Sequence, residues 1–213
     1  MKTLIRMVSI VILSTVLLGC AFGNKHSYHD AIANINIENT IAVAVTAHDQ
    51  RAYIVSGNKD PDFVGLQRGG YGNPFDVKTE SGNSLADDMS KSLANSLVER
   101  GFEVQYISVS SNMDKDSVID KLKEKGSDRL LVMTINEWKS DTYNNTALIY
   151  DMKVSILDGA GMQLASNSIK GRDNLGGSFI NPAGHAKQVI PKAFTDKIEL
   201  LINDKEIRNV LQY

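Results

Sequence analysis

The stretch LLVMTINEWKSDTYNNTALIYDMKVSILDGAGMQLASNSIK, residues 130–170, decides the fold. It opens with four consecutive apolar residues at 130–133, the strongest strand signal in the chain. In residues 146–157 apolar and polar side chains alternate, which is typical of a strand with one buried face and one wet face. Turn-forming residues separate these segments at 141–145 and 158–161. The stretch therefore predicts three consecutive antiparallel strands.

Helical patterns lie on both sides of this meander. Residues 84–100 carry a stripe of leucine and methionine at helical spacing, and a glycine follows as the C-terminal stop. A shorter helix is predicted over 115–125. A last helix should begin at 181–182, where Asn caps and Pro occupies the first turn. Because Pro191 removes a helical hydrogen bond, we expect a kink or a restart there.

The remaining strands complete the predicted architecture. Residues 40–45 are apolar on both faces, as in a central strand, and residues 102–106 alternate. Between 49 and 79 the pattern is irregular, with short strands at 51–56 and 63–66. The predicted fold class is α+β, a mixed, largely antiparallel sheet with helices packed on one face as a two-layer sandwich.

The N-terminal residues have the pattern of a secretory leader, with a basic start and an apolar run over 7–18. Residues 17–20, Leu-Leu-Gly-Cys, look like the lipobox of a bacterial lipoprotein, so Cys20, the only cysteine, is predicted to carry the lipid. Two alternatives fit less well. A membrane-spanning helix needs about 20 apolar residues, and an ordinary cleaved signal would not need Leu-Leu before Gly-Cys.

The leader divides the chain into a signal peptide at 1–19, a flexible tether at 20–39 and a single α+β domain at 40–213. Cleavage would leave 21 basic and 25 acidic residues, a net charge of −4. The cations are scattered along the chain, which excludes nucleic-acid binding, since that requires a cationic patch. Residue 21 is Ala rather than Asp, which by resemblance to sorted lipoproteins favours the outer membrane and the periplasm.

Few residues suggest chemistry. His26 and His29 lie three apart but have no distant third ligand, so no metal or other cofactor is expected. His48, Asp49 and Arg51 follow the first buried strand, where acid-base residues can lie. Because neighbours on an extended chain point to opposite sides, the favoured interpretation is an Asp-capped turn with Arg51 paired to a carboxylate.

Two short motifs carry a resemblance to a known family. Residues 47–51, AHDQR, follow an alternating strand, and residues 97–104 read LVERGFEV. Both resemble the YajG family of bacterial lipoproteins, in which a D-x-R-like turn follows the first strand and an R-G-aromatic step joins a helix to the next strand. The stretch at 53–74 is longer here. The resemblance implies an uncharacterised envelope lipoprotein with no established catalytic residues.

Three aromatic residues stand among glycines and prolines in residues 60–75. Phe63, Tyr71 and Phe75 have no regular element that would bury them together, and ordered loops of this length tend to be functional. Exposed aromatic rings also supply binding energy. We therefore predict that they form a partner-binding surface. The alternative is that the rings fold back onto the sheet and fill the edge of the core.

Two classes of function remain open. The favoured one is a lipid-anchored, periplasm-facing lipoprotein that acts as a non-catalytic interaction, assembly or structural factor at the outer membrane. It would bind the membrane through its anchor, and its other partner would be an envelope protein. The alternative is a small-ligand-binding protein or hydrolase that acts on envelope components through a cleft near His48, Asp49 and Arg51.

Overall fold

A computed structural model describes residues 24–212 of the protein, and this range contains eight strands and five helices. The strands are β1 (Lys25–His26), β2 (Ala42–Asp49), β3 (Phe63–Arg68), β4 (Pro74–Thr79), β5 (Glu103–Tyr106), β6 (Arg129–Thr142), β7 (Asn145–Asp158) and β8 (Gln163–Gly177). The helices are α1 (Ala52–Val55), α2 (Leu85–Val98), α3 (Lys115–Lys123), α4 (Pro182–Ile202) and α5 (Lys205–Gln212). None of these five is long and apolar enough to cross a membrane.

All eight described strands form one mixed sheet. Its order is β1-β4-β3-β6-β2-β5, and β7 and β8 extend it from the other edge of β6. Four pairings are parallel and three are antiparallel, and two of the antiparallel pairings join the longest strands, β6, β7 and β8. The predicted α+β fold class is confirmed.

The long strand β6 organises the sheet. Along one edge it pairs with two strands in succession: residues 129–135 pair with β2, and residues 140–142 pair with β3. Along the other edge it pairs with β7 over its whole length, with a shift of register between Ile135 and Glu137. We call the part of β6 between residues 135 and 140, where β2 ends and β3 takes its place, the seam.

The predicted meander is confirmed as β6, β7 and β8. Leu131 lies opposite Ile156, and Val154 lies opposite Asn167. Met152 and Val154 are buried in the core, as the alternating pattern requires. Turns at 143–144 and 159–162 connect the three strands.

Helices cover both faces of the sheet, one more sparsely than the other. Apolar residues of α2, α4 and α5 share one core with the sheet, which includes Leu93, Phe194 and Ile207. Helix α3 instead packs Val118 and Leu122 on the opposite face, in a smaller second core. The one-sided arrangement predicted from the sequence therefore describes three of the four longer helices in the described range.

Capping explains where the two main helices begin. The Ser84 side chain accepts a hydrogen bond from the Asp87 backbone N–H (3.1 Å) at the start of α2. At the start of α4, the Asn181 carboxamide oxygen accepts a hydrogen bond from the Gly184 backbone N–H (2.8 Å). Of the kink or restart expected at Pro191, the structure rules out the restart, because α4 is continuous from Pro182 to Ile202. Burial of Ile190 and its neighbours along the same face offsets the single hydrogen bond that proline removes.

The segment predicted as a flexible tether is packed where the structure describes it. Residues 24–39 bring Tyr28, Ile35 and Ile37 into the main core, all essentially inaccessible to solvent. The Trp138 indole N–H donates a hydrogen bond to the Tyr28 hydroxyl (3.0 Å). The segment has no local signal for this packing, because its apolar residues are too widely spaced to show a regular period. The first four tether residues, 20–23, and Cys20 among them, lie outside the described residues.

The irregular region at 49–79 contains more structure than its composition suggested. The strand expected at 63–66 is confirmed as β3, and it forms a hairpin with β4, which the sequence analysis missed. The strand expected at 51–56 is wrong, since residues 52–55 form the short helix α1. Parallel pairing of β3 with β6 at the seam fixes the hairpin on the sheet.

Candidate functional site

Asp49 and Arg51, the residues proposed for a catalytic cleft, form a buried ion pair at the seam. The Arg51 Nε donates to Asp49 Oδ1 (2.9 Å), and Nη2 donates to Oδ2 (2.6 Å). Nη1 donates to the carbonyl oxygens of Phe63 (2.7 Å) and Trp138 (3.1 Å). The guanidinium thus joins the end of β2, the start of β3 and the middle of β6. The favoured interpretation, a turn in which Arg51 pairs with a carboxylate, agrees with this geometry.

The electrostatics of the pair follow from its surroundings. Arg51 has no solvent-accessible surface. Burial alone would lower the pKa of Arg51, but the hydrogen bonds and charge of Asp49 outweigh it and raise that pKa. The charges of Arg51 and Asp49 therefore neutralise each other, and neither side chain faces a cleft.

His48 points to the opposite side of β2 from Asp49, because successive side chains of a strand alternate between its two faces. Its Nε2 lies 2.8 Å from the Gln50 Nε2, and that amide nitrogen also donates to the Ser111 carbonyl (2.8 Å). Burial lowers the pKa of His48 below its usual value. The structure therefore does not bring His48, Asp49 and Arg51 together at one accessible site.

The histidines near the N-terminus also have structural partners. His26 is buried on β1, with Nε2 at 3.3 Å from the Ser140 hydroxyl. His29 Nε2 lies 2.9 Å from the Asp30 carboxylate. Residues 24–212 hold no group of three or more His, Cys, Asp or Glu side chains that could bind a metal ion.

The three aromatic residues of the predicted partner surface have different environments. Phe63 is buried, with its ring edge-on to Tyr53 at 5.5 Å between centroids, so it follows the alternative of packing onto the sheet. Phe75 is half-buried on β4. Tyr71, at the tip of the β3–β4 hairpin, is fully exposed. Of the three, only Tyr71 presents its whole ring to solvent.

Tyr71 belongs to a group of exposed apolar side chains at one end of the sheet. The hairpin loop 69–73 meets the β6–β7 turn 143–144, where the Tyr143 hydroxyl donates to the Gly70 carbonyl (3.2 Å). The β8–α4 loop 178–181 adjoins the same turn, since Gly177 pairs with Asn145. We call these three loops the loop end. Its exposed apolar side chains are Tyr71, Tyr143, Phe179 and Ile180, and Phe179 and Ile180 are 87% and 98% exposed.

A polar cleft of about 420 Å³ opens beside the loop end. Its walls include Arg68, Asp141, Tyr143, Asn145, Arg172 and Asn174. Arg68 donates two hydrogen bonds to Asp141, from Nε (2.8 Å) and Nη2 (2.7 Å), and these bonds lower the pKa of Asp141. Asp173, also in the wall, pairs with Lys197 (2.6 Å). Arg172 forms no salt bridge with any described residue and is exposed, so its charge can receive an anion.

Sequence reasoning missed the cleft and half of the loop end. The cleft residues come from four separate strands and become neighbours only through the sheet pairing. Phe179 and Ile180 did give a signal. They stand between two glycines and an Asn-Pro helix start, where a connection should be polar. Such an apolar pair in a turn indicates an exposed contact.

Comparison with known proteins gives the fold and nothing more specific. No family model and no curated protein matches the sequence. A protein of the DUF330 family from Xanthomonas campestris has a similar structure, with a TM-score of 0.51 and 13% identity over 84% of this chain and 94% of that one.

Two further bacterial structures are more distantly similar. Lipoprotein GNA1162 from Neisseria meningitidis gives a TM-score of 0.39 and 16% identity, covering 75% of this chain and 98% of that one. The LpoB C-terminal domain from Salmonella enterica gives 0.32 and 11%, covering 66% and 87%. The fold of this chain is therefore one already seen in a bacterial protein of the DUF330 family.

Proposed function

We propose that the protein is a periplasm-facing lipoprotein, anchored in the outer membrane through Cys20, that binds other envelope components and is not an enzyme. Its localisation rests on the leader, on the Leu-Leu-Gly-Cys motif at 17–20 and on Ala at position 21. Stable anchoring requires more than one acyl chain, and a lipidated N-terminal cysteine carries several. On this proposal, Cys20 is a lipid attachment site.

The finer assignment to a YajG-like family is part of the proposal, and both motifs behind it have a physical role. Asp49 and Arg51 of the first motif close the seam. In the second, Gly101 adopts a positive φ of 91°, which glycine tolerates best, and so turns the chain from α2 into β5. Phe102 then enters the main core. Both motifs therefore have a structural role in this fold.

The single observation that carries a binding function is the loop end. Tyr71, Phe179 and Ile180 expose apolar side chains on adjoining loops, where a soluble surface would be polar. By contrast, Asp49 and Arg51, which were considered for acid-base chemistry, bond to each other and to the backbone of neighbouring strands. Exposed aromatic and aliphatic anchors of this kind are typical of binding surfaces.

The alternative function, small-ligand binding, has one observation in its favour. The cleft beside the loop end contains Arg172, which forms no salt bridge with residues in the described range. This site replaces the one suggested near His48. A ligand held there would place an anionic group beside Arg172.

Two experiments in cells test the proposal. Metabolic labelling with a fatty acid should mark the wild-type protein in the outer-membrane fraction and should be lost in Cys20→Ala. Undiminished labelling of that variant would refute lipidation at this residue. A photocrosslinking amino acid at position 71 or 180 should then give adducts with envelope components, whereas the same probe at Ala160, an exposed turn at the other end, should not.

A further inference from the structure

The first described residues limit where a lipid on Cys20 can lie relative to the domain. Strand β1 runs parallel to β4, which itself leads away from the tip of the β3–β4 hairpin. The chain therefore enters β1 from the side of the loop end. Asn24 confirms the direction, because its side-chain amide donates to Gln67 Oε1 (3.1 Å), one residue before the end of β3.

Chain length limits how far the lipid can lie from that point. Cys20 precedes Asn24 by four residues, so their Cα atoms are at most about 14 Å apart. Lys78 lies beside Asn24 and Pro74 lies beside the hairpin tip, and the four residue steps between them along β4 span about 13 Å. A lipid on Cys20 therefore tethers the domain close to the membrane and by the side on which the loop end lies.

The loops at that end have a composition suited to a lipid surface. Residues 69–73, 143–144 and 178–181 contain no Asp, Glu, Lys or Arg, although 23% of the whole chain is charged. Two loops at the opposite end of the sheet are charged: residues 57–62 contain a lysine and two aspartates, and residues 124–128 contain a lysine and two acids, whereas the β7–β8 turn at 159–162 has no charge. Moving uncharged loops into a membrane interface avoids the large cost of desolvating charges.

The exposed side chains at this end are of the kinds that enter membrane interfaces. Tyrosine is enriched at the level of lipid headgroups because its ring is apolar and its hydroxyl is polar. Phe179 and Ile180 can bury their apolar surface in the outer part of the acyl region. Behind the tips, Arg172 lines the cleft without a salt bridge to any residue of 24–212, so it can bind a lipid phosphate.

We propose that the loop end docks on the lipid surface of the membrane that carries the anchor, with Tyr71, Phe179 and Ile180 inserted into the headgroup region. The proposal rests on acylation of Cys20, as proposed above. Several weak contacts near a permanent anchor act at high effective concentration, so the domain is held in one orientation. The opposite end, with the β7–β8 turn and α3, then faces the periplasm.

The experiment uses the full acylated chain in vesicles of phosphatidylethanolamine and phosphatidylglycerol. Because Cys20 is blocked by its lipid, Tyr71→Cys, Ile180→Cys and Ala160→Cys each offer one thiol for an environment-sensitive fluorophore. At positions 71 and 180 the emission should shift to the blue, and lipids with a nitroxide near the headgroup should quench it. At position 160, in an exposed turn at the other end, neither effect should occur.

A second variant guards against artefacts of labelling. Phe179→Ser/Ile180→Ser removes two exposed side chains, so the thermal unfolding temperature should stay unchanged. The blue shift and the quenching of a probe at position 71 should nevertheless be lost. A fluorophore that inserts by its own affinity for lipid would keep both, and that result would overturn the proposal.

The remaining outcomes separate this proposal from the preceding one. Equal quenching at 71, 180 and 160 in a protein that is acylated and bound to vesicles would refute docking and leave the anchor intact. Absence of acylation would refute both. Shielding of position 71 in native membranes but not in pure lipid vesicles would assign the loop end to an envelope protein and overturn the lipid assignment.

Discussion

Arg51 donates two parallel hydrogen bonds to the carboxylate of Asp49, two residues before it, inside the protein and without access to water. Buried charges are stable only when they are paired and fully bonded. The remaining guanidinium nitrogen meets that condition by donating to two strand carbonyls, those of Phe63 and Trp138. The pair thereby fixes where β2 stops and β3 starts along β6.

Breaking this pair should destabilise the protein strongly. Arg51→Met leaves the Asp49 charge and two carbonyls buried without their donor, which we expect to lower the free energy of unfolding by about 3–5 kcal/mol. Urea unfolding of the purified protein measures this. Lys192→Met, which breaks an exposed ion pair with Asp196, should cost at most about 0.5 kcal/mol. Similar losses in the two variants would contradict the structural role of Arg51.

The N-terminal segment should contribute to folding through Tyr28. Tyr28→Phe removes the acceptor of the buried Trp138 indole N–H, so we expect a loss of about 1–3 kcal/mol in the free energy of unfolding. The matched control is Tyr71→Phe, a fully exposed ring whose hydroxyl loss should change stability by less than about 0.5 kcal/mol. If both variants unfold like the wild type, residues 24–39 are the flexible tether that the sequence suggested.

Stability should fall in mildly acidic solution because of His26. Burial lowers its pKa from 6.5 to about 4, so as the pH falls the unfolded chain takes up this proton before the native state does. The contribution is lost progressively between pH 6.5 and about 4 and is constant below that, with a total of up to about 3 kcal/mol.

Urea unfolding at several pH values, for wild type and His26→Gln, isolates this effect. Glutamine does not titrate but can still bond the Ser140 hydroxyl near His26. The difference in stability between the two proteins should therefore change over that pH range. A constant difference would show that His26 does not titrate in the way its burial predicts.

The register of the meander can be tested at two adjacent positions. Val154→Asp introduces a charge into the main core and should cost more than about 3 kcal/mol. Lys153→Asp, on the other face of β7, should change stability by less than about 1 kcal/mol. Thermal unfolding of the two variants measures both losses. Equal losses of stability at positions 153 and 154 would contradict the register.

Local sequence patterns were sufficient for the meander and for the helix α2. Alternation over 146–157 placed Val154 in the core, and the Ser84 cap placed the start of α2. Both signals depend on residues that are neighbours in the chain. The hairpin strand β4 and the packed segment around Tyr28 gave no such signal, since each is held by pairing or burial against distant residues.

The sequence by itself determined the α+β class and the meander, because periodicity and composition are local properties. Only the tertiary structure decided that Arg51 closes the seam, which depends on the Phe63 and Trp138 carbonyls meeting at one point. It also decided that Tyr71 and Ile180, more than a hundred residues apart, share one end of the sheet. Contacts between residues so far apart in the sequence follow from the order of the strands in the sheet. That order depends on the packing of the whole chain and cannot be read from any local pattern.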